Sequence, residues 1–449
     1  MKRKILTLFL AFLCLLSTVG LAGCGEKKSK SSRVYFLNFK PESASVYDAI
    51  AKDYEKETGN KIKVVTAAAN SYEQTLKSEI AKTDAPTIFQ INGPIGYESW
   101  KTYCMNLKDS RLYSFLADKS LAIEGSDDGV YGIPYVVEGY GIVCNKEIFD
   151  RYFALENRSS KVKDFDEITD FEALRSVTED MTAHKADLKI EGVFASTGLS
   201  SGEDWRWQTH LLNVPLYYEL KESEDYDDPT LATLNAKEIA FRYAQNYRNI
   251  FDLYINNSLT QKTLLGSKST ADSMAEFALG KVAMVQNGNW AWSQISDVSG
   301  NVVKEENVRF LPIYTGIEGE KGQGLCIGTE NYLAVNDKAS DEQKKASLDF
   351  LEWLFSSETG KKYVTEKLNF ITPFNTFSED DLPSDPLAKE ISRYLNDDGV
   401  KNIPWIFAGF PSETFKNDVG SALLDYVQGN KTWDEVEKTA KDSWKREAK

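Results

Sequence analysis

Strands and helices alternate between residues 34 and 92, and this alternation restricts the fold more than any other feature of the chain. Apolar runs typical of buried strands occur at "VYFLNF", "IKVVTA" and "PTIFQIN". Between the first two runs, Val46, Ile50 and Tyr54 recur at the spacing of an amphipathic helix, and Leu76 and Ile80 mark a second helix. This order predicts an α/β fold with a mainly parallel sheet and helices on its faces.

The loops after the first and third predicted strands are the first places to look for a binding site. Ligands of such sheets bind beyond the carboxyl ends of the strands. These two ends lead into the loops "NFKPES" and "INGPIGYES". We therefore expect ligand-contacting residues in both loops.

Three long β-like runs indicate that the chain passes several times between two lobes. The run Gly129–Phe149 has no helical period and is too long for one ordinary strand, and similar runs occur at Gly324–Asn336 and Leu368–Asn375. A chain of 449 residues also exceeds what one hydrophobic core usually carries. We predict a first lobe from 34–135 plus 331–372, a second lobe from 141–327 plus 375–449, hinges near 136–140, 328–330 and 373–374, and a cleft between the lobes.

Two capping boxes predict helix starts in the last third of the chain. Ser340 is followed three positions later by Gln343, and Thr432 by Glu435. In this motif the two side chains each bind the other residue's backbone N–H group at the first turn of a helix.

The N-terminus has the order of an export signal. "MKRK" is basic, Ile5 to Leu16 is apolar, and small residues precede Cys24. "LAGC" resembles the lipobox of bacterial lipoproteins, which implies a signal peptide at residues 1–23, lipidation of Cys24 and a lipidated tether at 24–33. Secretion with an unmodified cysteine is the alternative.

The charge and the cysteines exclude several classes of protein. The chain has 53 basic and 68 acidic side chains, a net charge of −15, so it repels nucleic acid and anionic lipid headgroups. Beyond the signal, Cys104, Cys144 and Cys326 remain, without a C-x-x-C spacing for zinc or redox chemistry. We expect buried free thiols, and leave open a Cys144–Cys326 bridge.

The stretch "VAMVQNGNWAWSQI" places two tryptophans just beyond a predicted strand. Asn287-Gly288 ends the strand and Asn289 is a good N-cap, so "WAWSQI" reads as the start of a helix. Two positions apart on a helix, Trp290 and Trp292 point to nearly opposite sides. We expect Trp292 to pack in a core beside Ile295 and Trp290 to face the cleft.

Two further aromatic loops suit a sugar-binding wall. "GEDWRWQTHLL" holds Trp205 and Trp207 beside Asp204, and "PWIFAGF" holds Trp405 and Phe407. Indole faces stack on the apolar C–H side of a pyranose, while charged side chains bind its hydroxyl groups. Each ring taken alone is more often structural, but their recurrence in loops favours a carbohydrate cleft.

Catalysis and metal binding have less support in the sequence. Only His184 and His210 are present, which leaves little for a His-based triad or a zinc site. A glycosidase needs two converging carboxylates, for which Glu138, Glu203 and Asp204 are available. Tyr217-Tyr218 is similar to the tyrosine pair of ferric-ion-binding proteins. We expect no enzyme, no cofactor and no metal, and keep a glycosidase and a ferric- or polyamine-binding protein as alternatives.

Several segments together resemble one family. The lipobox, the β/α first lobe, "GKVAMVQNGNWAWS" (Gly280–Ser293) and "GIPYVVE" at the first crossing are similar to those of the extracellular solute-binding proteins (family 1) of carbohydrate ABC transporters, of which the maltose-binding protein is the best-known member. The resemblance implies a two-lobed periplasmic-binding-protein-like fold (class II), without chemistry of its own. It implies a monomer on the outer face of the bacterial cytoplasmic membrane that delivers an oligosaccharide to a permease.

The resemblance also implies roles for particular residues. Trp290 matches an aromatic residue that stacks on a sugar ring, and Glu138 matches a hinge acid that reaches bound hydroxyls. The first-strand loop contributes polar contacts through Asn38, Lys40 and Glu42, and the third-strand loop through Asn92. Asn289, a further candidate beside Trp290, stands where the maltose-binding protein has proline, and the third-strand loop lacks the charged pair used for maltose. The sugar therefore stays open.

Overall fold

The computed structural model describes residues 34–68, 71–222, 228–329 and 331–448. The predicted signal peptide, Cys24 and the tether at 24–33 lie outside the described residues, and so does most of the acidic loop at 222–228. None of the helices in the described ranges combines the length and apolar character needed to cross a bilayer.

The strands of the described chain fall into two sheets. In chain order they are β1 (Val34–Asn38), β2 (Ile62–Thr66), β3 (Ile88–Asn92), β4 (Ile123–Glu124), β5 (Val130–Pro134), β6 (Glu138–Asn145), β7 (Gly192–Phe194), β8 (Val282–Gly288), β9 (Val308–Leu311), β10 (Gln323–Gly328), β11 (Asn331–Val335) and β12 (Lys401–Ile403).

The helices surround both sheets. In chain order they are α1 (Ala44–Thr58), α2 (Tyr72–Glu79), α3 (Gly93–Trp100), α4 (Arg111–Phe115), α5 (Lys146–Phe153), α6 (Phe171–Ala183), α7 (Lys185–Leu188), α8 (Leu212–Leu220), α9 (Pro229–Asn235), α10 (Ala244–Asn256), α11 (Thr270–Ala278), α12 (Trp292–Ser296), α13 (Asp341–Ser356), α14 (Glu358–Lys362), α15 (Pro386–Leu395), α16 (Glu413–Val427) and α17 (Trp433–Glu447). A π-helix at Arg206–Leu211 leads into α8, and a second one at Tyr363–Lys367 follows α14.

The first sheet has the strand order β2-β1-β3-β11-β5-β4. β1 pairs in parallel with β2 and β3, as the alternation at the start of the chain predicts. β11, which comes about 240 residues later in the sequence, is antiparallel to both of its neighbours, β3 and β5. The mixed α/β class is confirmed, and one central strand of this sheet is supplied by a distant part of the chain.

The second sheet has the strand order β12-β10-β6-β8-β7, with β9 also paired to β6. All eight residues of β6 are buried, because strands lie along both of its edges and apolar clusters cover both of its faces. Large apolar clusters cover both sheets, one set for each lobe. The fold is therefore two-lobed, each lobe with its own sheet and core.

The chain passes between the sheets at β5 to β6 and again at β10 to β11. A third segment runs beside the first crossing, where the Val137 N–H donates to the carbonyl of Ile371 at 2.6 Å. Phe374 and Phe377 pack in the first-lobe core, and Asp381 pairs with Lys361 at 2.6 Å. In this structure the chain leaves the first lobe after Asp381, later than the expected 373–374, because these side chains are held by the first core.

The three cysteines of the described chain are free and buried. The bridge between Cys144 and Cys326 is therefore not formed in this structure. Burial raises the pKa of the Cys326 thiol to about 12, which keeps it neutral at physiological pH.

Candidate functional site

The loop after β1 is shaped by Asn38, which is completely buried. Its Nδ2 donates to the Lys40 carbonyl at 2.8 Å and to Thr66 Oγ1 at 3.1 Å, and its Oδ1 accepts from the Lys40 N–H at 3.2 Å. One amide proton binds the loop backbone and the other binds Thr66 at the end of β2, so Asn38 positions Lys40. The direct ligand contact implied by the resemblance stays a prediction.

Lys40 forms a buried ion pair with Glu138 at the start of β6. Its Nζ lies 2.7 Å from Oε1 and 2.9 Å from Oε2, and both residues are less than 7% exposed. Buried charges are tolerated when they are paired. The pair joins the first-lobe loop to the first crossing. Glu42 lies exposed in the turn Pro41–Ser43, and Asn92 is half-buried at the start of α3.

Six rings from four segments of the second lobe form what we call the ring cluster. Its members are Tyr140, Trp205, His210, Trp290, Trp405 and Phe407. The His210 ring is central and stacks parallel to Tyr140 with 4.1 Å between centroids. Trp205 meets His210 edge-on at 4.6 Å, and Trp290 lies 5.7 Å from it. Four of the predicted aromatic residues therefore lie together.

Only two members of the ring cluster keep exposed surface. Tyr140, His210, Trp405 and Phe407 are buried, whereas Trp205 and Trp290 are intermediate in exposure. Burial lowers the pKa of His210 well below its usual value, and the charges of Arg206 and Lys416 act in the same direction. A neutral, buried centre thus supports two partly exposed indoles.

The tryptophans of the opening stretch separate as the helical spacing predicts. The turn Asn289–Ala291 leads into α12, and Trp290 joins the ring cluster while Trp292 packs against the apolar cluster that includes Ile295. Gly288 is required here, since the Trp290 ring occupies the space that a Cβ at Gly288 would fill. The two indoles therefore face different parts of the lobe.

Asn289 has a different role from the expected one. Gly288, and not Asn289, is the N-cap of the turn. Asn289 is 5% exposed, and its Oδ1 accepts the Gly139 N–H at 2.9 Å. The N-cap prediction is wrong because the side chain binds the neighbouring strand β6 and holds it beside β8. The contact of Asn289 with a ligand stays a prediction.

Trp207 lies in the core and not in a binding wall. It is 2% exposed, its Nε1–H donates to the Gly198 carbonyl at 3.0 Å, and it packs on Phe251 and Tyr254. The reason is that Trp205 and Trp207 belong to a helical segment, in which two positions separate side chains by about half a turn. Only Trp205 reaches the ring cluster.

Asp204 and Arg206, the sequence neighbours of Trp205, are both buried in the second lobe. Asp204 is 3% exposed and packs on α16, where a Cβ at Gly420 would overlap its carboxylate. Burial raises the pKa of Asp204 to about 6. The Arg206 guanidinium lies 3.8 Å from the Trp205 ring centroid and donates to Thr270 Oγ1 at 2.7 Å. Asp204 is thus buried against α16, and the Arg206 guanidinium packs on the face of the Trp205 indole.

His210 and Tyr140 are cluster members that the sequence reasoning missed. His210 was considered only for catalysis, and Tyr140 lay within the predicted crossing run. A π-helix has a wider turn than an α-helix and brings Trp205 onto His210, five positions later. No pattern with the α-helical period would have paired them.

The residues named for the alternatives make contacts within the protein, and Glu203 Oε2 accepts the Thr270 N–H at 2.8 Å. The Tyr218 hydroxyl is buried and donates to Gln323 Oε1 at 3.0 Å, while Tyr217 packs against the second core. Glu138 is paired with Lys40, and Asp204 packs on α16. Within the described ranges no three His, Cys, Asp or Glu side chains are grouped to hold a metal ion.

Comparison with known proteins places the chain in a family. A profile of the family described as bacterial extracellular solute-binding protein matches residues 49–390. A structure described as a chitin oligosaccharide binding protein has a TM-score of 0.70 at 17% identity, over 92% of this chain and 98% of that chain. The solute-binding protein RafE in complex with raffinose has a TM-score of 0.68 at 18% identity, over 93% and 99%.

A third solved structure, a sugar transporter from Bacillus licheniformis in complex with stachyose, has a TM-score of 0.62 at 17% identity over 92% of this chain and 100% of that chain. At such identities the likeness shows a shared two-lobed fold. The family profile covers most of the chain, and the protein therefore belongs to the bacterial extracellular solute-binding proteins.

Proposed function

We propose that this protein captures an oligosaccharide between its two lobes and delivers it to the permease of an ABC-type sugar transporter. A lipid on Cys24 would hold it at the outer face of the cytoplasmic membrane. The observation that carries the proposal is the ring cluster, in which buried rings support the partly exposed indoles of Trp205 and Trp290 beside the crossings. Similar folds that hold raffinose and stachyose support the same class of ligand.

Binding combines stacking with polar contacts. The two indoles offer apolar faces to the C–H side of a sugar ring. Lys40, Glu42, Asn92 and Glu138 lie at the facing edge of the first lobe and the first crossing, where they meet hydroxyl groups. Because each lobe supplies part of the site, the ligand binds the closed state better and shifts the equilibrium toward it.

An uncharged ligand fits the buried charges better than iron or a polyamine does. Lys40 and Glu138 neutralise each other. A polyamine would need unpaired carboxylates. Ferric ion would need tyrosine hydroxyls free to ionise, whereas burial raises the pKa of Tyr218 above its usual value.

A thermal-shift screen of the chain from Gly25 onward tests the proposal. The ligands are malto-, galacto-, xylo- and manno-oligosaccharides, raffinose and chitin oligosaccharides, with ferric ion and spermidine included. At a hundred times its Kd, a ligand stabilises the fold by about 2.7 kcal/mol, which gives a clear shift in Tm. We expect a shift with one oligosaccharide that Trp290→Ala reduces strongly. A shift with ferric ion or spermidine alone would contradict the proposal.

A further inference from the structure

Buried polar atoms without partners gather where the chain crosses between the lobes. Among the described residues, Thr329 Oγ1, Thr372 Oγ1, Trp405 Nε1 and both side-chain amide atoms of Asn331 are buried and accept or donate no hydrogen bond. Asn331 is 1% exposed and Trp405 is 4% exposed. A buried polar group left unpaired is costly, so several of them in one region point to a group that completes their hydrogen bonds.

The pairing of the strands brings these side chains to one place. Gly328, next to Thr329, lies opposite Glu138 across β10 and β6, and a Cβ there would lie 2.7 Å from Trp405 Cγ. Ile371, next to Thr372, pairs with Val137, the neighbour of Glu138. The second and third crossings therefore both flank the Glu138 carboxylate. We call Thr329, Asn331, Thr372 and Trp405 the crossing group.

Asn331 brings the first sheet into the same region. It begins β11 opposite Asn92 of β3, at the edge where β1 also ends. That edge carries the Lys40 loop, whose ammonium group pairs with Glu138. The crossing group thus lies between the polar loops of the first lobe and the ring cluster, which shares Trp405 with it.

We propose that the crossing group is a polar subsite for one uncharged, polyhydroxylated sugar ring at the inner end of the cleft. The proposal rests on the proposed function and specifies which residues bind the hydroxyls of the innermost sugar. An amide supplies a donor and an acceptor, a hydroxyl supplies both, and an indole N–H supplies a donor only. Neighbouring hydroxyl groups of a sugar ring can donate hydrogen bonds to these acceptors and accept them from these donors. Lys40 and Glu138 already neutralise each other, so the subsite offers no free charge to a uronate or an amino sugar.

Replacing Asn331 by leucine tests the subsite. The probes are raffinose, chitotriose and maltotriose, each titrated calorimetrically into the chain from Gly25 onward, first without substitution. For the glycan that binds, we expect Asn331→Leu to raise Kd at least tenfold. The Tm of the free variant should stay the same or rise, because an unpaired amide is replaced by an apolar group of similar size. An unchanged Kd would overturn the subsite.

Trp405→Phe provides a second test with a matched control. Trp433 is also 5% exposed or less and its Nε1 also lacks a partner, but it packs in the second-lobe core on Tyr247 and Tyr426. We expect Trp405→Phe to raise Kd at least tenfold and Trp433→Phe to leave it unchanged. If Asn331→Leu does not fold, the comparison of Trp405→Phe with Trp433→Phe still tests the subsite.

The outcomes separate the two proposals. Equal effects of Trp405→Phe and Trp433→Phe, or no effect of Trp405→Phe, would overturn the subsite while glycan binding by the unsubstituted chain stands. If the unsubstituted chain binds none of the three glycans and none of the other oligosaccharides in the thermal-shift screen, the proposed function falls and the subsite falls with it.

Discussion

Trp290 and Trp292 are two residues apart, and their surroundings differ enough to separate binding from folding. Trp290 belongs to the ring cluster, whereas Trp292 packs against the apolar cluster around Ile295, and both indoles are partly exposed. We expect Trp290→Ala to weaken glycan binding by about 2 kcal/mol, since central aromatic residues dominate binding energies. Calorimetric titration measures this loss.

Trp292→Ala is the matched control for that change. It leaves the ring cluster intact and removes packing, so we expect an unchanged Kd and a loss of about 2 kcal/mol in the free energy of unfolding. Urea denaturation measures the loss. Similar losses of affinity in both variants would show that Trp290 acts only through the fold.

Asp204 gives the fold a dependence on pH. Burial raises its pKa from 3.8 to about 6 in the folded protein, so the folded state binds the proton more tightly than the unfolded state does. The cost of holding the charged carboxylate is therefore fully present above pH 6 and disappears as the pH falls toward 4. We expect Asp204→Asn to stabilise the protein at pH 7 by about 1–3 kcal/mol.

The comparison of Asp204→Asn with the unsubstituted chain isolates this group, because Asp385, whose pKa is also raised to about 6, is present in both. Denaturant unfolding at pH 4, 5, 6 and 7 should show a difference that grows with pH. A difference that is constant across this range would contradict the assignment.

At single residues, the sequence predicted the chemical character of a side chain better than the direction in which it points. The aromatic character of Trp205, Trp290, Trp405 and Phe407 correctly marked rings that meet in space. Trp207 was misplaced because a two-residue spacing has opposite meanings on a strand and on a helix. Asn38 and Asn289 were predicted to contact a ligand. In sequence, a polar loop residue looks the same whether its side chain binds a ligand or forms hydrogen bonds with the protein backbone.

At the scale of elements, the α3 start and the turn Ile406–Gly409 form a contact between the lobes. Gly93 has a φ of +62°, and a Cβ there would lie 3.1 Å from Ala408 Cβ. Neither position leaves room for a larger side chain when the lobes are together. The two small residues therefore set how closely the lobes approach.

We expect Ala408→Phe to hold the lobes apart. The added ring would meet Gly93 on closure, so glycan affinity should fall at least tenfold, and small-angle X-ray scattering should show a larger radius of gyration with ligand present. Ala186→Phe, on an exposed face of α7, is the control and should change neither quantity. Full affinity in Ala408→Phe would show that closure does not need this contact.

Sequence motifs that span only a few residues predicted the boundaries of helices correctly. Both capping boxes are confirmed, at Ser340 with Gln343 and at Thr432 with Glu435. The π-helix at Arg206–Leu211 was not predicted, because it depends on packing against α16 and the ring cluster and leaves no periodic trace in the sequence. The third crossing ends later than the expected 373–374, because Phe374 and Phe377 continue into the first core.

At the scale of the whole molecule, one buried ion pair connects the first lobe to the crossings. Glu138→Gln would leave the Lys40 ammonium group buried without a counter-charge, and we expect it to lower the free energy of unfolding by about 3–5 kcal/mol. The double variant Lys40→Met, Glu138→Gln removes both charges and should recover most of that stability. A double-mutant cycle in urea measures the coupling. Additive losses would show that the two charges do not depend on each other.

The interleaved order of the two lobes also has a consequence for how the chain reaches its folded state. β11 lies between β3 and β5, yet it is made only after the whole second sheet except β12. A growing chain that ends before Asn331 therefore has a gap in the middle of its first sheet, and residues 34–134 cannot complete that lobe alone. Long-range pairing of this kind slows folding. In a chain that is exported unfolded, this delay would keep the N-terminal part of the first lobe unfolded until most of the chain has passed through the membrane.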